Sequence, residues 1–170
     1  MAGNGGSCAD SEHIVGELMK CFKQKRPMSA PCANRFRELY GEDAERFVSS
    51  LEGAIPAIAL GSQSALATAY LNDNEPSMLY AQTVYGYGKP VDLFWGLSTS
   101  GNSENVVNAA MTAKAMGLCT VAMTGQKPSR LSELCDCTIC VPSTETYRIQ
   151  EYHLPIYHAL CAYLEKNIFG

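Results

Sequence analysis

Only three histidines occur in this chain, and two of them stand where they could move a proton or hold a metal. His13 and Glu17 lie four residues apart in "SCADSEHIVGELMK", so a helix there puts imidazole and carboxylate one turn apart on one face. His158 closes "RIQEYHLPIYH". On an ideal helix Glu151, seven residues earlier, lies almost beneath His158, whereas Gln150 is turned away by about 80°. Imidazole and carboxylate at one site suit proton transfer near neutral pH. The same donors suit a divalent ion such as zinc. Spacing leaves open whether the two helices meet. Taken alone, His13 and Glu17 also fit an ordinary surface pair, and His153 faces away from His158 and reads as structural or surface.

Two glycine- and serine-rich stretches suggest what the proton chemistry would act on. "AGNGGS" (2–7) and "STSGNS" (98–103) each lead into a helix-like run. In a parallel sheet, ligands bind beyond the carboxyl ends of the strands, where such turns lie. Glycine lets the backbone approach a ligand, and the next helix offers unpaired N–H groups and the positive end of its dipole. Hydroxyls of Ser98, Thr99, Ser100 and Ser103 add neutral donors. One such loop is equally a solvated turn with Ser103 as a helix cap. Two in one chain favour an anion site. A cradle without Lys or Arg suits a protein of net charge −4 and pI near 5.4. Neither loop fits a nucleotide-binding fingerprint.

Elements of the right kind surround these loops. Helical spacing is read at 8–24, 34–51, 64–73, 103–116, 128–134 and 148–167, with Pro155 expected to kink the last. The segment 76–87 is of less certain type. Short apolar runs at 53–60, 91–97, 118–125 and 137–142 read as buried strands. Strands alternating with helices imply a parallel sheet covered on both faces. The expectation is therefore one α/β domain over residues 1–170. "AGNGGS" looks like the turn after a strand that only Met1 and Ala2 could supply. The chain thus reads as starting inside a longer protein.

Composition excludes several classes. The acidic balance argues against nucleic acid as a partner. No run of about 18 apolar residues exists to span a membrane. Eight cysteines without an export signal read as reduced thiols in a cytoplasm. "CDCTIC" (135–140) lacks a second ligand pair at zinc spacing and reads as small core residues on a strand.

With these residues laid out, the chain resembles the sugar isomerase (SIS) domain superfamily and, within it, the phosphoheptose isomerase family. The likeness rests on "GNGGSCADSEHIVGEL", "IPAIAL…YLND", "GLSTSGNSENVVNAA" and "RIQEYHLPIYH", nearly the whole sequence. "STSGNS" marks a phosphosugar-binding SIS domain; its pairing with "GNGGS…HIVGE" and "Q…H" is specific to the heptose branch. The resemblance implies a three-layer α/β/α sandwich with a five-stranded, parallel, flavodoxin-like sheet, here lacking its first strand and N-terminal helix. It also implies a homo-tetramer with active sites shared between subunits.

For the site, the resemblance implies Glu17 and His158 as the acid–base pair. Asn4, Gly5, Gly6, Ser7, Asp73 and Gln150 would contact substrate, and Ser98, Thr99, Ser100 and Ser103 would grip its phosphate. His13, Glu17, Gln150 and His158 would hold zinc, which selects Gln150 over the Glu151 that spacing favours. The implied reaction converts sedoheptulose 7-phosphate into D-glycero-D-manno-heptose 7-phosphate through an enediol. The chain departs from the family pattern at Tyr147, where an Asp is usual, and at Cys21, where an Arg is usual. Two alternatives stay open: a non-catalytic SIS protein that binds phosphosugars or docks a replication initiator, and an isomerase or lyase of another phosphosugar.

Overall fold

Three of the apolar runs become the sheet. In the computed structural model, which describes residues 1–170, Leu93–Leu97 (β1), Cys119–Thr124 (β2) and Cys137–Cys140 (β3) pair in parallel in the order β1-β2-β3. Trp95 sits beside Val121, and Met123 beside Ile139. Helix α6 (Glu104–Ala115) links β1 to β2, and α7 (Arg130–Leu134) links β2 to β3. Crossovers of one hand in a sheet advancing in one direction put both helices on the same face. There α6 and α7 pack together.

That face is closed by small residues. Ala109, Ala110 and Ala113 of α6 are fully buried, so its backbone lies close to the strands. Gly96 makes this possible: a methyl there would come within 3.1 Å of both Phe94 and Val106. Helix α5 (Leu79–Tyr87) packs on α6 and adds Leu79, Tyr80 and Val84 to the cluster. Burying a Leu, Val or Phe side chain contributes about 1.5–3 kcal/mol. Trp95, Leu97 and Met123 point to the other face and are buried as well, so the sheet is covered on both sides.

The chain divides into two compact units, residues 1–13 with 58–156 and residues 14–57 with 157–170. The sheet belongs to the first. Two long helices, α1 (Gly6–Met19) and α8 (Thr146–Phe169), contribute to both, and α8 runs through Pro155 without interruption. The second unit also holds α2 (Ala30–Tyr40) and α3 (Ala44–Ser50). Helix α4 (Ser64–Asp73) lies in the first, with the bounds its sequence suggested.

Several expectations need correction. The sheet has three strands and not five. Ala2 adds a single parallel bridge to Gly96 on the outer edge of β1, through Ala2 N to Trp95 O at 3.0 Å and Leu97 N to Ala2 O at 2.8 Å. The run "GAIPAIAL" (53–60) is not a strand. Pro56 has no amide to donate, and the neighbouring amides find scattered partners, Gly53 on Arg26 O and Leu60 on Met1 O. The helix expected over 34–51 is broken at Gly41, whose φ of 54° no helix accommodates, and a 3-10 turn follows before α3. Of the "CDCTIC" cysteines only Cys135, half-buried, packs against the core; Cys137 and Cys140 are exposed on edge strand β3, and all eight thiols of the chain are free.

Candidate active site

Within the first unit the two glycine–serine loops are joined by their asparagines. Asn4 Nδ2 donates to Asn105 Oδ1 at 2.9 Å, and Asn105 Nδ2 donates to Asn4 Oδ1 at 2.9 Å. Tyr80 Oη donates to the Gly3 carbonyl at 2.8 Å and reaches Asn4 Oδ1 at 3.3 Å. Gly5, at φ 53°, turns the chain into α1. The Gln150 carboxamide of α8 reaches Gly6 closely: a methyl there would lie 2.8 Å from its amide carbon, so the Gln150 side chain would have to shift to admit one. Glu151 is exposed and pairs with Arg148 at 3.6 Å. Of the two neighbours, Gln150 lies at the first loop and Glu151 does not take part in that contact.

The second loop is wound tightly around Ser98. Its amide donates to Met123 O at 3.0 Å, its carbonyl and hydroxyl both accept from the Gly101 amide, at 3.0 and 3.1 Å, and its Oγ lies 3.0 Å from Ser103 Oγ. Gly101 takes φ 66°, and a methyl there would overlap the Ser129 side chain. Ser103 occupies the N-cap position of α6, yet its hydroxyl caps none of the helix amides. It faces Ser98 instead. The helix-cap reading of this serine therefore fails, and the first-turn amides of Glu104 and Asn105 are left for another acceptor. Hydroxyls and free N–H groups at a helix start are the chemistry that binds phosphate without a cation.

A buried histidine supports this loop from below. His153 has no exposed surface, and its Nε2 lies 3.4 Å from the Thr124 carbonyl oxygen. Burial lowers its pKa below the usual imidazole value. The next residue, Gly125, donates to the Thr99 carbonyl at 3.1 Å. His153 is thus structural and not a surface group.

In the second unit the acid–base candidates meet. Ligand atoms of Glu17 on α1 and His158 on α8 lie within 4.8 Å of one another. His13 stands one turn before Glu17 on α1. The His158 ring is packed between Phe22, at a centroid distance of 5.5 Å and a tilt of 37°, and the edge of Tyr157 at 4.9 Å. Behind the pair is an ion pair that sequence reading missed. Arg26 Nε donates to Glu165 Oε1 at 2.8 Å, and neither side chain has more than 1% of its surface exposed. A signal for it existed: Tyr157, Cys161 and Glu165 follow at intervals of four on the buried side of α8, and a carboxylate on such a stripe requires a partner.

Asp73 ends α4 in an exposed position, where it accepts from the neighbouring Asn72 at 2.8 Å. Asn105 and Tyr80 were not singled out from sequence; Asn105 is one polar residue in an otherwise ordinary helix start. No helix is long and apolar enough to cross a membrane.

The SIS domain family matches residues 46–125. A phosphoheptose isomerase of Sulfurimonas denitrificans is 36% identical over 170 residues, covering 100% of this chain and 74% of the relative. One of Aneurinibacillus thermoaerophilus is 36% identical over 169 residues, 99% of this chain and 72% of the relative. Among solved structures, a phosphoheptose isomerase from Francisella tularensis superposes with a TM-score of 0.75 at 28% identity, covering 95% of this chain and 72% of that one. The enzyme from Neisseria gonorrhoeae gives 0.71 at 29% identity, covering 95% and 73%.

Proposed function

The chain belongs to the phosphoheptose isomerase family, and from that premise we propose that it is an aldose–ketose isomerase interconverting sedoheptulose 7-phosphate and D-glycero-D-manno-heptose 7-phosphate. The observation that carries the reading is the approach of Glu17 to His158, within 4.8 Å.

In this reading the phosphate is held by Ser98, Thr99, Ser100 and Ser103 with the first amides of α6. Asn4 and Ser7, on loop backbone bent by Gly5 and Gly6, contact the substrate with Gln150, and Asp73 receives sugar hydroxyls. Glu17 removes the proton from the carbon beside the carbonyl, and His158 delivers a proton to the carbonyl oxygen. An enediol results. Glu17 returns its proton to the neighbouring carbon as His158 recovers one from the adjacent hydroxyl. The phosphate grip, remote from the reacting atoms, supplies binding energy for their alignment.

Imidazole nitrogens and a carboxylate are donors that zinc accepts, and His13, Glu17, Gln150 and His158 would hold it. When bound it would polarise the carbonyl and stabilise negative charge on the oxygen. The reading also includes a cytoplasmic homo-tetramer with shared sites.

Incubation with sedoheptulose 7-phosphate, followed by NMR, tests the assignment through the appearance of aldose signals. A panel of other phosphosugars separates this substrate from its rivals. Binding without turnover across the panel would favour a non-catalytic phosphosugar-binding protein.

A further inference from the structure

The buried pair of Arg26 and Glu165 makes contacts that converge on the acid–base residues. Arg26 donates from Nη1 to the Leu18 carbonyl at 2.6 Å and from Nη2 to the Glu17 carbonyl at 2.9 Å. These are two of the carbonyls that the C-terminus of α1 leaves without helical partners. A cation at a helix C-terminus is also favoured by the helix dipole. Arg26 thus closes the turn of α1 that carries Glu17.

Glu165 fixes the other side. Its Oε1 accepts from Phe22 N at 2.8 Å, and its Oε2 accepts from Lys23 N at 2.8 Å and Gln24 N at 3.2 Å. Those amides belong to the segment that lays the Phe22 ring against His158. Glu165 itself follows His158 by seven residues, two turns along the same face of α8. The Arg26 guanidinium lies over the Phe169 ring at 5.0 Å, so the end of α8 is held as well.

We propose that Arg26 and Glu165 are positioning residues for the isomerisation: the buried ion pair ties the last turn of α1, with Glu17, and the Phe22 segment to α8, and so sets the carboxylate against the His158 imidazole. The inference rests on the isomerase reading. It explains why two charges are kept out of water where an apolar pair of equal volume often serves stability as well or better. Neither residue touches the reacting atoms; each acts through backbone groups beside those that do.

Two variants test it in the full chain, Arg26→Lys and the apolar double variant Arg26→Met/Glu165→Leu. Each is measured for kcat and KM on sedoheptulose 7-phosphate, for thermal melting, and for the NMR positions of the His158 ring protons, identified by their loss in His158→Gln. Positioning predicts a folded double variant with KM within about twofold of the parent and kcat lower by about 100-fold. Its His158 signals would move as the ring-current shift from Phe22 is lost. Arg26→Lys, keeping the charge without the fork, would fall between parent and double variant.

A folded double variant with parental kcat and unmoved His158 signals would overturn the proposal. Unfolding of both variants would overturn it equally, since the pair would then hold the fold and not the geometry. If the parent chain turned over no phosphosugar, the isomerase reading would fall, while the His158 signals would still decide the positioning claim.

Discussion

Asn4 and Asn105 face each other head to tail, each carboxamide donating one hydrogen bond of 2.9 Å to the other. The exchange fixes which way the Asn4 amide points and joins two loops 101 residues apart in sequence. Asn105→Ala removes both bonds and leaves Asn4 held only by the longer Tyr80 contact. Losing one net hydrogen bond costs about 0.5–1.5 kcal/mol. The variant should therefore raise KM for the phosphosugar by about two- to tenfold with a smaller change in kcat, as steady-state kinetics would measure.

Two glycines share a positive φ but differ in surroundings. At Gly101 an added methyl would overlap Ser129, whereas at Gly5 nothing lies within 4 Å. Gly5→Ala bears only backbone strain, about 1–2 kcal/mol. Gly101→Ala adds a collision with the loop that surrounds Ser98. Calorimetry should show the larger fall in Tm for Gly101→Ala. A chain of this size loses about 2–4 °C per kcal/mol.

The α/β alternation after residue 90 was legible because short apolar runs and helix-spaced runs follow one another there, and α6, β1 and β2, with α4 before them, fall close to their expected bounds. The first third was not. "GAIPAIAL" has a strand's composition, but its amides bond to Arg26, Leu18 and Met1, partners that only tertiary structure supplies. Gly41 was hidden inside a helical pattern that stayed apolar on both sides of it. At the site, the glycine and serine loops announced themselves by composition. What joins them did not: Asn105 is a polar residue on a helix like many others, and its role comes from Asn4, 101 residues away. The approach of the Gln150 amide to Gly6 likewise does not appear in helical spacing.

The acid limb of stability should carry the mark of Asp136. Thr120 donates to its carboxylate from hydroxyl and amide, at 2.7 and 2.8 Å, and with Lys114 holds its pKa down at about 2 from 3.8. A carboxyl with a lower pKa in the folded chain stabilises it above the unfolded value and loses that contribution as pH falls. The loss should run from about pH 4 down to about pH 2. Urea melts across that window should show a shallower decline for Asp136→Asn than for the parent.

Thiol reactivity should divide by location. Burial pushes the Cys161 thiol up to about 11 and encloses it completely. Cys32, Cys119, Cys137 and Cys140 are exposed. A chromogenic disulfide reagent at pH 8 should label the exposed group readily and reach Cys161 only after denaturant is added. Thiolate fraction and access both act in that direction.

Glu17→Ala addresses the assignment of the base itself. Sedoheptulose 7-phosphate binding, followed by calorimetry, should stay within a few-fold of the parent because the phosphate grip lies elsewhere in the chain. Turnover to the aldose, followed by NMR, should fall by about 100- to 10,000-fold, the range a positioned acid or base supplies. Parental turnover in this variant would contradict the account.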